Sequence, residues 1–301
     1  METSITKLLK IKYPLIQGGM AWISDGNLAA AVSNAGGAGI IAAGSHDSEW
    51  LKKEIRKARA LTNKPFGVNI MLMSPFKEEI VETVCSEKVD FVTLGAGNPT
   101  PYFGRFDEVG IVKIPVVPSL RLALRVQKSG ADAIIVEGME AGGHIGYLTT
   151  MSLLSNIPPY IDIPVIAAGG IVDGRGVKAA LAMGASGVQM GTRFIASEES
   201  PAHINFKEML VNAKDTDTTI IGDIRGHRVR ALKNKFTLEY GKMEREVVDL
   251  SELEGMMKGR AKIAVIEGDI DNGLFFAGQS LTMIDKIISC EDIIDRIVAG
   301  L

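Results

Sequence analysis

A histidine in a glycine-rich loop is the residue of this chain best suited to acid–base chemistry. His144 follows Gly142 and Gly143, a few residues after an apolar run, 133–136, that ends in the carboxylate of Glu137. Glycine removes side-chain volume so that a backbone can lie close to a ligand, and it costs conformational entropy. Imidazole changes its charge near neutral pH. The pattern predicts a catalytic site, with a role in turn geometry or helix capping as the alternative.

The composition is that of a soluble globular protein. The 301 residues carry a net charge of −3, are 46% hydrophobic, and include 36 acidic and 33 basic residues without a long basic run. This balance argues against nucleic acid as a partner. The first residues lack an apolar core of signal-peptide or membrane-spanning length, so we expect a cytoplasmic protein with no membrane association. Cys85 and Cys290 are too few for a disulfide framework or a metal knuckle, and no metal site is predicted.

Eight short apolar runs bounded by glycine or proline predict a parallel sheet. They do not alternate in polarity, as expected for strands covered on both faces. The first starts at residue 15 and the eighth at residue 187, so seven steps cover 187 − 15 = 172 residues, or roughly 25 each, the length of one strand-loop-helix unit. This predicts an α/β fold, a (β/α)8 TIM barrel, with an open doubly wound sheet as the alternative. The predicted strands are 14–18, 38–44, 66–71, 91–95, 114–118, 133–137, 164–169 and 187–191, and the predicted helices are 25–35, 48–61, 75–86, 102–108, 120–129 and 174–183.

The strand-helix alternation stops after the eighth run. We therefore predict three parts: a barrel over residues 1–196, a smaller and mostly helical insertion over the barrel mouth at 197–278, and a carboxyl-terminal helix at 279–301 that returns to the barrel. The insertion contains Arg225, Arg228, Arg230 and Lys233. These cations form either a positive patch for an acidic or phosphorylated partner, or an ordinary solvated face.

Two glycine-containing turns follow the seventh and eighth predicted strands. They contain Gly169 and Gly170 in the first turn, and Gln189, Gly191 and Thr192 at the second. In phosphate-binding barrels, backbone N–H groups of these two loops hold the anion, helped by a helix N-terminus. Each turn alone could be structural, but the pair at these strand positions favours a phosphate site.

A further glycine-rich segment ends the first predicted strand. Its small residues let a flat ring lie against the backbone, and the amide of Asn69 at the third strand offers a donor and an acceptor, although such a residue is often only a turn former. Together with the phosphate site these features outline FMN. The platform consists of Gly18, Gly19, Met20 and Ala21.

Two other barrel classes fit less well. An inosine monophosphate dehydrogenase would need a nucleophilic cysteine near strand six, and no cysteine lies between Cys85 and Cys290. A 2-hydroxy-acid oxidase would be expected to place an arginine close to its base histidine, whereas His144 is followed by Ile-Gly-Tyr-Leu.

The sequence resembles the FMN-dependent enoyl-acyl carrier protein reductases of bacterial fatty acid synthesis, within the nitronate monooxygenase superfamily. The Ala-Gly-Gly-His motif ending at His144 is typical of the superfamily, and the other segments indicate the reductase. The resemblance covers nearly the whole chain through segments 16–22, 64–71, 95–99, 137–150, 165–171, 189–194 and 226–234.

The resemblance implies reduction of a trans-2-enoyl thioester by NADH or NADPH through FMN, the last step of fatty acid elongation, with acyl carrier protein as partner. It implies His144 as the catalytic residue, and Glu137, Gly142 and Gly143 join the predicted cofactor contacts. It also allows a monovalent cation as activator and a homodimer. The alternatives are a nitronate monooxygenase that uses FMN and oxygen, and a flavin-binding module without turnover.

Overall fold

A closed ring of eight parallel strands forms the centre of the protein. The computed structural model describes residues 1–224, 226–246 and 250–301. The barrel strands follow one another around the ring in chain order, and Ile16 bridges Ala38 to close it between the first and second strands. This confirms the predicted TIM barrel. The described strands are β1 Leu15–Gln17, β2 Gly39–Ala42, β3 Phe66–Met71, β4 Phe91–Gly95, β5 Val112–Val117, β6 Ile134–Glu137, β7 Gly143–His144, β8 Val165–Ala168, β9 Gly187–Met190, β10 Thr218–Ile221 and β11 Val229–Leu232, of which β7, β10 and β11 lie outside the barrel.

Helices surround the barrel and begin at side-chain caps that the sequence supplies. Asp25, Asp47, Ser119 and Asp173 each accept a hydrogen bond from a first-turn backbone N–H, which satisfies a group that the helix leaves unpaired. The described helices are α1 Ser4–Leu9, α2 Gly26–Asn34, α3 Ser48–Leu61, α4 Lys77–Glu87, α5 Phe103–Asp107, α6 Leu120–Lys128, α7 Thr150–Asn156, α8 Gly174–Ala182, α9 Thr192–Ile195, α10 Ile204–Asn212, α11 Lys235–Glu246, α12 Leu250–Met257, α13 Arg260–Lys262 and α14 Cys290–Ala299. The six predicted helices are confirmed within a few residues.

The last helix, α14, packs between α2 and α8. Its backbone lies so close to α8 that a Cβ atom added at Gly174 would be 2.5 Å from the carbonyl oxygen of Ile297.

Helix α1 fills one end of the barrel. Its residues Ile5 and Leu9 pack against the interior side chains of the strands, including Ile16 and Ile166. The amino-terminal end of the barrel is therefore filled, and a site must lie at the carboxyl-terminal end.

The insertion is mostly helical, but it also contains a small sheet that the sequence analysis did not predict. Strand β11 pairs with β10 and with β7, the pair of residues that contains His144. A separate apolar cluster that includes Phe236, Tyr240 and Leu274 supports this sheet. In contrast, Phe206 of α10 packs against Phe275 and belongs to the main core. The insertion thus contacts the barrel on two sides, and the boundaries at residues 197 and 279 stay a prediction.

Among the described residues, none of the helices combines the length and the apolar character needed to cross a lipid bilayer.

Candidate active site

The upper end of the barrel interior is lined by polar side chains above an apolar filling. Alternate residues of a strand point to the same face. Phe91, Ile135 and Ile166 belong to the interior cluster, so the residues two positions later in their strands point inward at the carboxyl-terminal end. By the same alternation, four inward-facing polar side chains form the floor of the mouth: Asn69, Thr93, Glu137 and Gln189.

Two of these floor side chains have no hydrogen-bond partner among the described residues. The amide nitrogen Nδ2 of Asn69 donates to Oγ1 of Thr93 at 2.9 Å. Within the part of the chain that the structure describes, the side chains of Glu137 and Gln189 make no hydrogen bond. Polar groups in such positions are normally satisfied by protein, water or a ligand. The floor therefore offers a carboxyl and an amide to a bound molecule.

The glycine segment after β1 packs directly against this floor. A Cβ atom added at Gly19 would lie 2.5 Å from the Cβ of Asn69, and one added at Gly18 would lie 3.3 Å from Cδ of Gln189. A Cβ atom at Gly191 would lie 3.4 Å from the sulfur of Met20. The approach at Gly19 requires glycine, the approach at Gly18 is tight, and the distance at Gly191 is an ordinary van der Waals contact. The structure thus brings together six residues that the sequence analysis predicted in three separate segments, while Ala21, the last residue of the predicted platform, is exposed in the turn that follows.

A buried glutamine that the sequence analysis missed holds the turn after β1. The Nε2 of Gln17 donates to Oγ of Ser24 at 2.8 Å, and its Oε1 accepts from the backbone N–H of Ile40 at 3.0 Å. The same serine oxygen accepts from the backbone N–H of Met20 at 2.9 Å. These contacts fix the platform to β2. The sequence signal for this role was a polar residue, Gln17, inside an otherwise apolar run.

The turn after β8 has the geometry of an anion site. Gly169 and Gly170 have φ angles of 95° and 75°, in the left-handed region that favours glycine. No acceptor among the described residues takes the backbone N–H of Gly170 or Ile171. Consecutive free N–H groups in such turns bind phosphate oxygens. The predicted phosphate position is therefore compatible with the structure.

The turn after β8 is covered by residues 277–280, near the end of the insertion, which we call the strap. The sequence analysis did not predict these contacts. The backbone N–H of Gly278 donates to Oγ1 of Thr192 at 3.0 Å, and Oγ of Ser280 donates to the carbonyl of Gly170 at 2.7 Å. A Cβ atom at Gly142 would lie 2.7 Å from the carbonyl carbon of Ala277. The strap, residues 277–280, thus joins the two glycine turns to the histidine loop. Its sequence carries no motif, so only the fold could reveal it.

Glu140 and Thr150 form a second connection that sequence reasoning missed. The backbone N–H of Thr150 donates to Oε2 of Glu140 at 2.9 Å, and Oγ1 of Thr150 donates to the carbonyl of Gly169 at 2.9 Å. The carbonyl of Glu140 accepts from the backbone N–H of Gln279 at 2.9 Å. The carboxylate and backbone carbonyl of Glu140 and the hydroxyl of Thr150 therefore tie the start of α7, the glycine turn and the strap together.

His144 lies at the rim of the mouth and is held by its backbone. It pairs with Val229 across the small sheet, and the preceding Gly143 has a φ of 79°. Its ring is exposed, with the ring of Phe276 at 6.3 Å between centroids. The surrounding atoms lower the pKa of His144 from its ordinary value by desolvation, with a smaller lowering from the nearby His227. The neutral imidazole, which has one N–H donor and one acceptor, is therefore the main form at pH 7.

Glu137 is the one ionisable side chain among the four floor residues. Its side chain retains some accessible surface, but it lies inside the barrel wall. Desolvation alone raises the pKa of this carboxyl to about 7. The carboxyl therefore exists in both protonated and ionised forms near neutral pH, and it can donate or accept a hydrogen bond.

The arginines of the predicted basic patch have mainly structural contacts. Arg230 is buried, and its Nε donates to the carbonyl of Met139 at 2.9 Å. Arg228 is only partly exposed and lies 2.9 Å from the carboxylate of Asp223. Lys233 is exposed, whereas Arg225 lies outside the described residues. The hypothesis of an open positive patch fails for the two described arginines because they hold the insertion against the histidine loop.

Comparison with known proteins places this site in a family. The family model for nitronate monooxygenase matches residues 2–83 and 74–300. The chain belongs to the nitronate monooxygenase family. A solved structure of FabK from Thermotoga maritima is similar over 100% of this chain and 96% of its own, with a TM-score of 0.97 and 48% sequence identity.

Two curated relatives of this family member have different names. An octahydroindene carboxyl-CoA dehydrogenase from Rhodococcus jostii is 33% identical over 99% of this chain and 95% of its own length. A probable nitronate monooxygenase from Staphylococcus aureus is 33% identical over 93% of this chain and 92% of its own length. The relatives of this chain therefore have more than one named activity.

Proposed function

We propose that this family member is an FMN-dependent enoyl-acyl carrier protein reductase. The observation that carries the proposal is the full-length likeness to FabK, which is closer in sequence than the likeness to the relatives named for other reactions. The geometry of the mouth supports it. A polar floor, a glycine platform and a phosphate-compatible turn lie below an exposed imidazole.

FMN fits the residues that line the mouth. Gly18, Gly19 and Met20 would lie against the flat ring, and Asn69, Glu137 and Gln189 would offer hydrogen bonds to its polar edge. The free N–H groups after β8 suit a terminal phosphate, with Thr192, Gly142 and Gly143 close by through the strap. When bound, FMN supplies the acceptance and delivery of a hydride.

His144 then acts on the thioester. Addition of a hydride to the β-carbon of an enoyl thioester leaves negative charge on the carbonyl oxygen. A neutral imidazole can donate its N–H to that oxygen and stabilise the charge, which is often the largest single contribution to such a reaction. The pairing of β7 with β11 holds this ring at the rim without using its nitrogens. Backbone donors of the glycine loop can assist.

The proposed partners follow from this reaction. NADH or NADPH is the reductant, and enoyl chains arrive on acyl carrier protein or coenzyme A. A monovalent cation as activator, a homodimer and a cytoplasmic location complete the proposal, as does the division into a barrel, an insertion and a carboxyl-terminal helix.

Nitronate oxidation is the second candidate, because the family model and the Staphylococcus aureus relatives have that name. In that reaction oxygen reoxidises the flavin and no nicotinamide is needed. The two reactions can be separated in an anaerobic stopped-flow experiment. We expect NADH or NADPH to bleach the flavin and crotonyl-CoA to restore its colour. Bleaching by propyl nitronate but by neither nicotinamide would reject the reductase.

A further inference from the structure

A strained tryptophan lies immediately beyond the glycine platform. Among the described residues, four that are not glycine have a positive φ. Lys10 and Lys88 end helices, where this conformation is common. Trp22, with a φ of 67°, and Ala96 instead lie in the loops after β1 and β4 at the barrel mouth. A bulky residue persists in this conformation only where the surrounding structure requires it, often near a ligand.

Trp22 starts an aromatic cluster on this side of the mouth. Its ring lies 4.7 Å from that of His46, edge to face, and His46 stacks on Trp50 at 3.7 Å. The pKa of His46 is lowered, chiefly by desolvation, so the imidazole is neutral at pH 7. All three rings keep some exposed surface. The cluster is therefore an accessible apolar surface without charge of its own.

The insertion adds a cation to this cluster. The ammonium of Lys262, an exposed residue of α13, lies 5.3 Å from the centre of the Trp22 ring. No carboxylate of the described residues forms an ion pair with Lys262. An unpaired ammonium beside an aromatic surface suits a ligand with a flat heterocycle and a phosphate.

We propose that Trp22 and Lys262 form a subsite for an adenosine phosphate group. The proposal rests on the proposed function, because NADH, NADPH and coenzyme A thioesters all contain this group. Adenine packs against the Trp22 cluster, and Lys262 turns from the ring to the phosphates. Trp22 is two residues from Met20 of the platform, so a ligand held here can place its reactive end over the flavin position.

The test is calorimetric binding of two probes to the holoenzyme, ADP-ribose, which lacks nicotinamide, and coenzyme A, which lacks an acyl group. Trp22→Gly removes the ring and suits the backbone conformation, whereas Trp22→Tyr keeps a ring. We expect Trp22→Gly and Lys262→Ala to weaken binding roughly ten- to hundredfold, the loss typical of one stacking or ionic contact. Trp22→Tyr should stay near wild type. Lys258→Ala, at an exposed lysine four residues earlier, is the matched control.

The two probes identify the source of the group. Loss of ADP-ribose binding alone assigns the subsite to the nicotinamide cofactor, loss of coenzyme A binding alone assigns it to the thioester, and loss of both means that the ligands share it. Unchanged binding of both probes in Lys262→Ala and Trp22→Gly overturns the proposal, as does an equal loss in Lys258→Ala. A flavin that NADH and NADPH fail to bleach, with probe binding intact, instead rejects the reductase function and leaves the subsite standing.

Discussion

Gly19→Ala is the substitution that tests the geometry of the mouth most directly. The added methyl carbon would lie 2.5 Å from Cβ and 2.6 Å from Cγ of Asn69, closer than carbon atoms approach in proteins. The backbone of β3 sets the position of the Asn69 Cβ, so the turn that contains Gly19 must shift to relieve the first contact, and the asparagine side chain must rotate to relieve the second. Rotation breaks its 2.9 Å hydrogen bond to Thr93, which contributes about 1 kcal/mol to the free energy of unfolding.

The larger effect of this substitution falls on the cofactor. The displaced Asn69 side chain faces the mouth, where FMN is proposed to bind. Bringing it back against the new methyl group costs about 1–3 kcal/mol, as overpacking in a filled site does. The dissociation constant of FMN should therefore rise by roughly five- to hundredfold. Titration of apoprotein with FMN, followed by flavin fluorescence, measures this change.

Gly104→Ala is the matched control for Gly19→Ala. A Cβ atom added at Gly104, in α5, would meet no atom within 4 Å. This substitution should raise the free energy of unfolding slightly, since alanine favours helix, and leave FMN binding unchanged. Wild-type FMN affinity in Gly19→Ala, with the fold intact, would refute the placement of the ring against this platform.

Three further predictions concern the residues around the mouth. His144→Ala should retain FMN and fold, because the β7 pairing uses backbone, yet slow reoxidation by crotonyl-CoA roughly a hundredfold to a thousandfold in stopped flow; an equal slowing of bleaching by the nicotinamide would mean a structural role instead. Because burial raises the pKa of Glu137 to about 7 from 4.5, the folded apoprotein holds a proton that the unfolded chain has lost, and stability falls as pH rises between these values. Glu137→Gln should therefore match wild-type apoprotein in denaturant titrations at pH 4.5 and exceed it by on the order of 3 kcal/mol at pH 8, and parallel pH profiles would contradict this reasoning. Thr150→Val should lower the free energy of unfolding by about 1–3 kcal/mol, since Glu140 and the Gly169 carbonyl lose a donor, and weaken FMN binding, whereas Ser155→Ala on the exposed face of α7 should do neither.

The amino-acid sequence alone determined the barrel and much of its mouth. Each barrel strand is a short apolar run with its own turn residues, and several helices have their own side-chain cap, so these elements depend on neighbours in the chain. Once eight parallel strands are counted, the carboxyl-terminal ends must meet, and Gly19, Asn69 and Gln189 come together without further information. His144 was found in the same way, because its glycines are adjacent to it.

The tertiary structure decided the features that depend on distant residues. The strap reaches the glycine turns across 86 residues from Thr192 to Gly278, and its contacts use two backbone N–H groups and one serine hydroxyl, which form no recognisable motif. The predicted exposed patch was wrong for Arg230, which is buried and donates to the carbonyl of Met139. In sequence, an arginine on an exposed face and one that binds a distant carbonyl look alike. The positive φ of Trp22 likewise has no local signature in the sequence. Local pattern specifies which elements form, whereas long-range packing specifies which of their groups remain free for chemistry.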